Sequence, residues 1–135
     1  MIIFGGQFFA DILPVNGHWI VWDKKGDIVF DNPFGDCELA YTSIARKSVK
    51  KYTLIQQGFV SKERQRWHPT QKPVELMSDI LRDYMVEGGV VLDCFAGSGS
   101  TLIAAKNLGF KYIGIELQEK DIKIINDRLR QDILL

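Results

Sequence analysis

Residues 90–101 read VVLDCFAGSGST, an apolar run closed by an acid and followed by small residues. No other stretch narrows the possible folds so far. A strand that passes through glycines into a helix places free backbone N–H groups and the positive helix end beside the carboxyl edge of a sheet, where ligands of open α/β sheets bind. The flanking pattern agrees. Pro73 opens PVELMSDILRDYM, in which Val74, Met77, Ile80, Leu81 and Tyr84 mark one helical face with proline at the first turn. Gly88 and Gly89 stop that helix. VVLDCF is predicted as a buried strand, STLIAAKNLGF as a helix ending near Gly109, YIGIE as a second buried strand, and Glu119 to about Arg130 as an amphipathic helix. Alternating helices and strands are the order of a parallel sheet with crossover helices, so the fold class is α/β.

Upstream, Phe8, Phe9, Ile12 and Leu13 recur at helical spacing between Gly5 and Pro14, which predicts a short helix. HWIVWDK (18–24) reads as a strand running into a turn, and CELAYTS (37–43) as another strand. Residues 46–67 read mainly as loop. A chain of 135 residues, nearly half of them apolar, is the size of one globular domain. Its net charge of zero makes bulk charge uninformative, so electrostatic arguments rest on local patches. Cys37 and Cys94 lack Cys-x-x-Cys spacing, which supports neither a disulfide scaffold nor a metal site and fits a reducing cytoplasm. No apolar run reaches the roughly 18 residues of a membrane span, and the N-terminus lacks a signal pattern. A soluble, unprocessed protein without a membrane partner is expected.

Glu116 follows the glycine loop by about 20 residues, where a carboxylate can accept hydrogen bonds from two ribose hydroxyls. Loop and acid together point to a cofactor containing a nucleoside, although strand-terminal acids often only cap the following helix. Three cofactors compete. The phosphate loop of nucleotide hydrolases needs Gly-Lys before Ser or Thr, whereas Gly99 is followed by Ser100 and Thr101. The dinucleotide fingerprint needs a third glycine where Leu102 stands, and Asp93 ahead of the turn would repel a pyrophosphate. S-adenosylmethionine has no phosphate and carries a cationic amino-acid end, so Asp93 attracts it. The cationic cofactor is favoured over the nicotinamide dinucleotide.

DCFAGSGST, YIGIEL and HPTQKP, supported by FGGQFF, WIVWDK and CELAYTS, resemble the circularly permuted DNA amino-methyltransferases, which methylate adenine N6 or cytosine N4. The resemblance covers nearly the whole chain and implies a Rossmann-like methyltransferase fold of three αβα layers, incomplete at its N-terminal side. It implies that Asp93, Phe95, Gly97, Ser98 and Gly99 shape the S-adenosylmethionine pocket and that Glu116 holds the ribose. His68, Thr70, Gln71 and Lys72 would lie near the methionine end. Cys94 departs from the proline usual at its position. One partial domain spans 1–135, with a basic candidate DNA-contact loop at 44–67 and a cofactor-binding half at 68–135.

Between Arg46 and Lys72 eight Lys or Arg residues face one acid, Glu63, with Tyr52, Phe59 and Trp67 interleaved. Arg46, Lys47, Lys50, Lys51, Lys62, Arg64 and Arg66 are candidates for phosphate contacts with double-stranded DNA, the alternative being a solvated loop. Methyl transfer to an exocyclic amine requires a flipped base, an aromatic stack and oxygens that accept the amine hydrogens. The family supplies these with Asp-Pro-Pro-Tyr upstream of the segment resembling FGGQFF. The weak candidate here is DNPF, with Asp31, Pro33 and Phe34, for which a plain turn is the better reading. In the family's sheet the missing strand lies between those ending here at Asp93 and near Asp23. The expectation is a truncated or split restriction-modification methyltransferase that needs a complementing N-terminal fragment or a homodimer. The alternative is a non-catalytic remnant that binds cofactor, DNA or a partner chain.

Overall fold

Ile20 and Trp22 are 0% and 1% exposed, and they alternate along HWIVWD with half-buried Trp19, Val21 and Asp23. That period of two makes the segment the central strand of a sheet. In this computed structural model, which describes residues 1–28, 35–44, 48–56, 67–68 and 70–131, the chain forms two compact units, Met1–Lys62 and Glu63–Leu135. The first unit holds β1 (Ile2–Phe4), β2 (His18–Asp23), β3 (Cys37–Thr42) and β4 (Lys50–Thr53) in the order β1-β3-β2-β4. β3 runs antiparallel to both neighbours, pairing Ile3 with Tyr41 on one side and Ile20 with Ala40 on the other. β4 lies parallel to β2, with Val21 opposite Lys51.

Three expectations change in this unit. Residues 50–53 were expected within a loop and are a strand, because β2 offers a free edge and Asp23 accepts a hydrogen bond from Lys51 Nζ at 3.0 Å. The strand ending at Asp23 has partners on both sides, so the neighbour of a further strand would not be β2; β1 pairs with β3 alone among the described residues. The expected helix between Gly5 and Leu13 contracts to a 3-10 turn, Gly6–Phe9. Phe8 and Ile12 are 80% and 75% exposed, and a short helix without a buried stripe has little to sustain it. The DNPF candidates Asp31, Pro33 and Phe34 lie outside the described residues.

WDK is a strand end that turns, as its sequence suggests. Asp23 Oδ1 accepts the N–H groups of Lys25 at 3.0 Å and Gly26 at 2.7 Å, while Oδ2 faces Lys51. The Gly26 N–H and the Lys51 ammonium are the main reasons its pKa drops to about 2.

The second unit contains α1 (Val74–Tyr84), β5 (Val90–Asp93), α2 (Ser100–Asn107), β6 (Lys111–Gly114) and α3 (Glu119–Arg130). Pro73 stands just before the first turn of α1, and the helix buries Met77, Ile80, Leu81 and Tyr84 as expected, leaves Val74 half-buried, and also buries Leu76 and Ser78. β5 and β6 pair in parallel, Val91 opposite Tyr112, through the crossover helix α2. Gly114 permits the close approach of that helix: a Cβ there would stand 2.4 Å from Leu102 Cδ1. Leu102 occupies the place where a dinucleotide loop needs its third glycine, and packs with Ala96 and Ile125 instead. The two strands were expected to be buried, yet Val90, Leu92, Ile113 and Ile115 are 49%, 57%, 55% and 54% exposed. Among the described residues of this unit, only one face of the pair is covered. Among the described residues, no helix is long and apolar enough to cross a membrane.

Two outcomes follow for stability. Gly114→Ala forces Leu102 to move and is expected to cost on the order of 1–3 kcal/mol, read by urea unfolding. Asp23→Asn removes a carboxylate whose folded pKa is depressed, so its stabilisation is present above 3.8 and lost as pH falls through about 2. Wild type should exceed the variant by about 1 kcal/mol at pH 7, and the gap should close toward pH 2.

Candidate functional site

The loop between β5 and α2 is shaped by its own small residues. Asp93 Oδ1 accepts the N–H of Phe95 at 3.1 Å, which turns the chain out of the strand. Gly97 and Gly99 have φ of 52° and 82°, left-handed values that a side chain would strain. Gly99 also lies against α3, where an added Cβ would come within 3.0 Å of Ile125 Cγ1. The Asp93 to Gly99 turn therefore needs its glycines for backbone geometry and for packing.

Glu116 connects this loop to the next helix. Its Oε2 accepts the Gly97 N–H at 2.7 Å, and its Oε1 accepts the N–H groups of Leu117 at 2.8 Å and Gln118 at 3.0 Å. The carboxylate thus caps the approach to α3 and grips the glycine loop with the same group. Hydrogen bonds from Gln118 and Gly97 hold its pKa below the ordinary glutamate value, with a smaller contribution from Leu117. Four lone-pair positions meet three donors, so acceptor capacity remains for one more hydroxyl.

His68 and Gln71 lie against the loop. The His68 ring comes within 3.9 Å of the position that a Cβ on Gly97 would take. His68 Nδ1 accepts the Thr70 N–H at 3.3 Å and stands 3.1 Å from Thr70 Oγ1. A backbone N–H can only donate, so Nδ1 is the acceptor and Nε2 carries the proton of the neutral ring. Gln71 is buried, and its Oε1 accepts both the Trp67 N–H at 2.9 Å and the Ser98 hydroxyl at 3.0 Å. Lys72 Nζ donates to Thr70 O at 3.3 Å. The structure therefore brings His68, Gln71, Gly97, Ser98, Gly99 and Glu116 into one connected network, with Thr70 and Lys72 joined to it through His68.

Other predicted residues stand apart from that network. Phe95 is 92% exposed beside the loop, and Lys50 and Lys51 lie on β4 of the first unit. Lys50 sits over the Tyr52 ring at 5.5 Å, and Lys51 keeps a 63% exposed side chain while pairing with Asp23. Arg46, Lys47, Lys62, Arg64 and Arg66 lie outside the described residues. Two residues escaped the sequence reading. Leu117 follows Glu116 and is 96% exposed. Arg128 in α3 donates from NH1 to Ser98 O at 2.7 Å. Its signal was available in the periodicity: Asp121, Ile125 and Arg128 share one helical stripe, and the first two are buried.

Whether the site suits a nucleoside with a cationic amino-acid tail can be judged from these groups. Glu116 is an ionised acceptor with spare capacity. Exposed Phe95 and Leu117 offer apolar surface, and Asp93 supplies negative charge. Ser100 Oγ, at the start of α2, is buried without a hydrogen-bond partner among the described residues, a polar group suited to a ligand. The residues fit. An open depression of about 560 Å³ on α3, lined by Glu119, Lys123, Asp127 and Arg130 among others, includes no residue of the loop and is a separate surface.

A family profile described as DNA methylase matches residues 19–127. The Type II methyltransferase M2.DpnII of Streptococcus pneumoniae is 40% identical over 78 residues, which are 56% of this chain and 29% of the relative. The Type II methyltransferase M.HinfI of Haemophilus influenzae is 44% identical over 64 residues, 47% of this chain and 18% of its own length. The chain thus spans less than a third of these curated relatives. Among solved structures, the M1.HpyAVI–SAM complex is 29% identical with a TM-score of 0.71, covering 97% of this chain and 74% of that one. A second M1.HpyAVI structure, 24% identical with a TM-score of 0.67, covers 98% of this chain and 73% of that one and shares the fold. The Rossmann-like α/β class expected from the sequence is the fold of these neighbours.

Replacing Glu116 by Gln removes the charge that three N–H groups share. The depressed pKa means that the stabilisation is present above the ordinary value of 4.5 and fades as pH falls through the lower folded value. Glu116→Gln should lower the thermal midpoint of the ligand-free chain at pH 7, and the difference from wild type should shrink below pH 4.

Proposed function

The chain belongs to the DNA methylase family, and on that footing we propose that its glycine loop and the His68–Lys72 segment hold S-adenosylmethionine for methylation of an exocyclic amine, adenine N6 or cytosine N4, in double-stranded DNA. The observation that carries this reading is the Glu116 carboxylate bound to Gly97, which joins ribose acceptor and glycine loop in one unit. When bound, the cofactor supplies a methyl group on a cationic sulfonium. The protein's part is to bind and orient it. Glu116 accepts a ribose hydroxyl, and the donors that keep it ionised keep it an acceptor. Phe95 and Leu117 give the nucleoside base apolar contact. Asp93 favours the cationic end by charge, while the His68 Nε2–H, the Lys72 ammonium and the Ser100 hydroxyl are donors for its carboxylate.

Contact with DNA rests in this reading on Lys50 and Lys51, with Arg46, Lys47, Lys62, Arg64 and Arg66, whose charges would neutralise phosphates. Catalysis requires an Asp-Pro-Pro-Tyr type motif to accept the amine hydrogens and stack the flipped base, supplied by a complementing N-terminal segment. The exposed Val90, Leu92, Ile113 and Ile115 support this requirement, because parallel strands ordinarily have both faces covered. The Type II names of the relatives support a role in restriction-modification, and the exposed free thiols of Cys37 and Cys94 suit a cytoplasmic setting.

Thermal unfolding with S-adenosylmethionine and, separately, NAD tests the cofactor assignment. At a hundred times its Kd, S-adenosylmethionine should stabilise the chain by about 2.7 kcal/mol, and NAD should leave the transition in place. An equal or larger shift with NAD, or none with S-adenosylmethionine, would overturn the reading. Mixing with an N-terminal methyltransferase fragment bearing the catalytic motif should yield methylated DNA; cofactor binding without methylation would identify a binding remnant.

A further inference from the structure

We propose that Gln71 and Arg128 are positioning residues that act through Ser98, one on its hydroxyl and the other on its carbonyl, and so hold the glycine loop in its cofactor-ready shape before any ligand arrives. The proposal rests on reading that loop as the cofactor site and assigns roles within it. Ser98 is 3% exposed and stands between two glycines with left-handed φ, so no regular secondary structure fixes the turn. Its shape must come from contacts made outside the loop, against the entropy of two permissive residues.

Three tethers are available, each from a different element. Glu116, beyond β6, accepts the Gly97 N–H. Gln71, ahead of α1, accepts the Ser98 hydroxyl. Arg128, from α3, donates a charge-assisted hydrogen bond to Ser98 O at 2.7 Å. Gln71 is the informative member, because resemblance alone would place it against the methionine end of the cofactor. Its Oε1 already accepts both Ser98 Oγ and the Trp67 N–H. A carboxamide oxygen has two lone pairs, so both are in use and that atom has none to offer a ligand. Gln71 therefore ties the HPTQKP segment to the loop. Arg128 complements it through a main-chain atom that no substitution of Ser98 removes.

A loop held in its bound shape binds with a smaller ordering cost, so the consequence is tighter cofactor binding with the chemical step untouched. A double-mutant cycle on the full chain separates tethering from direct contact. Gln71→Ala and Ser98→Ala should each weaken S-adenosylmethionine binding by about tenfold, and the double variant should bind no worse than either alone. Arg128→Met should weaken it by a similar factor, with Arg128→Lys recovering most of the loss. Gln71→Glu, which keeps the acceptor oxygen, should recover part of the loss and guards against misfolding of the alanine variant.

Amide hydrogen exchange at Gly97 and Gly99 in the ligand-free chain gives a readout independent of cofactor. Exchange should quicken by about tenfold in Gln71→Ala and Arg128→Met. Losses that multiply to about a hundredfold in the Gln71→Ala, Ser98→Ala double variant would place Gln71 on the cofactor and overturn the proposal, as would unchanged loop exchange. Wild type that fails to bind S-adenosylmethionine while the loop exchange responds as expected would sink the cofactor reading and leave the tethering standing.

Discussion

Glu116 is the point on which the second unit turns. Its two carboxylate oxygens accept three backbone N–H groups, one from the glycine loop and two from the approach to α3. Each of these would otherwise need a partner, since loops and helix starts leave donors that no regular ladder satisfies. A neutral side chain could accept some of these bonds, but the ionised one accepts them more strongly and stays ionised because of them. One acid thereby ties the end of the β6 strand region, the glycine loop and the last helix into a rigid corner. Ile115 extends the corner, with its N–H donating to Asp93 O at 2.8 Å and its carbonyl accepting the Ala96 N–H at 3.0 Å.

The apolar packing beneath that corner is sparse and specific. Ala96, Leu102 and Ile125 join the loop, α2 and α3 in one small cluster, with Tyr112 and Leu129 against its edge. Leu102 weighs against a dinucleotide loop by sequence and makes this packing by structure, so one residue bears on both questions. Among the described residues, Val90, Leu92, Ile113 and Ile115 of β5, β6 and the residue after it remain exposed. In the first unit Trp22 and Ile20 serve the comparable role, and Trp22 Nε1 donates to Leu54 O at 3.0 Å, so its buried ring leaves no donor stranded.

Much of this was legible beforehand, for reasons that differ from element to element. β2, β3, α1 and α2 declare themselves by period, by Pro73 and by Gly109, because local propensity and burial demand the same state there. β4 does not: Lys50, Lys51 and Tyr52 read as a basic loop, and they become a strand through pairing with β2 and through the charge of Asp23, 28 residues away in sequence. The residues 8–13 failed in the other direction. Their helical spacing is real, but Phe8 and Ile12 find nothing to pack against, and spacing without burial does not make a helix.

For the site, the amino-acid sequence by itself determined the chemistry. The glycine turn, Asp93, the absence of a lysine after Gly99 and the presence of Leu102 together select a cationic nucleoside cofactor, since each acts through its own charge, size or backbone freedom. Tertiary structure alone decided which residue holds which. Gln71, Ser98 and Arg128 are far apart in the chain, and only the packing of α3 and the approach to α1 against the loop brings both Gln71 and Arg128 to Ser98. Hydrogen bonds depend on distance and direction between groups whose separation no local pattern encodes, so these roles emerge only once the chain has folded.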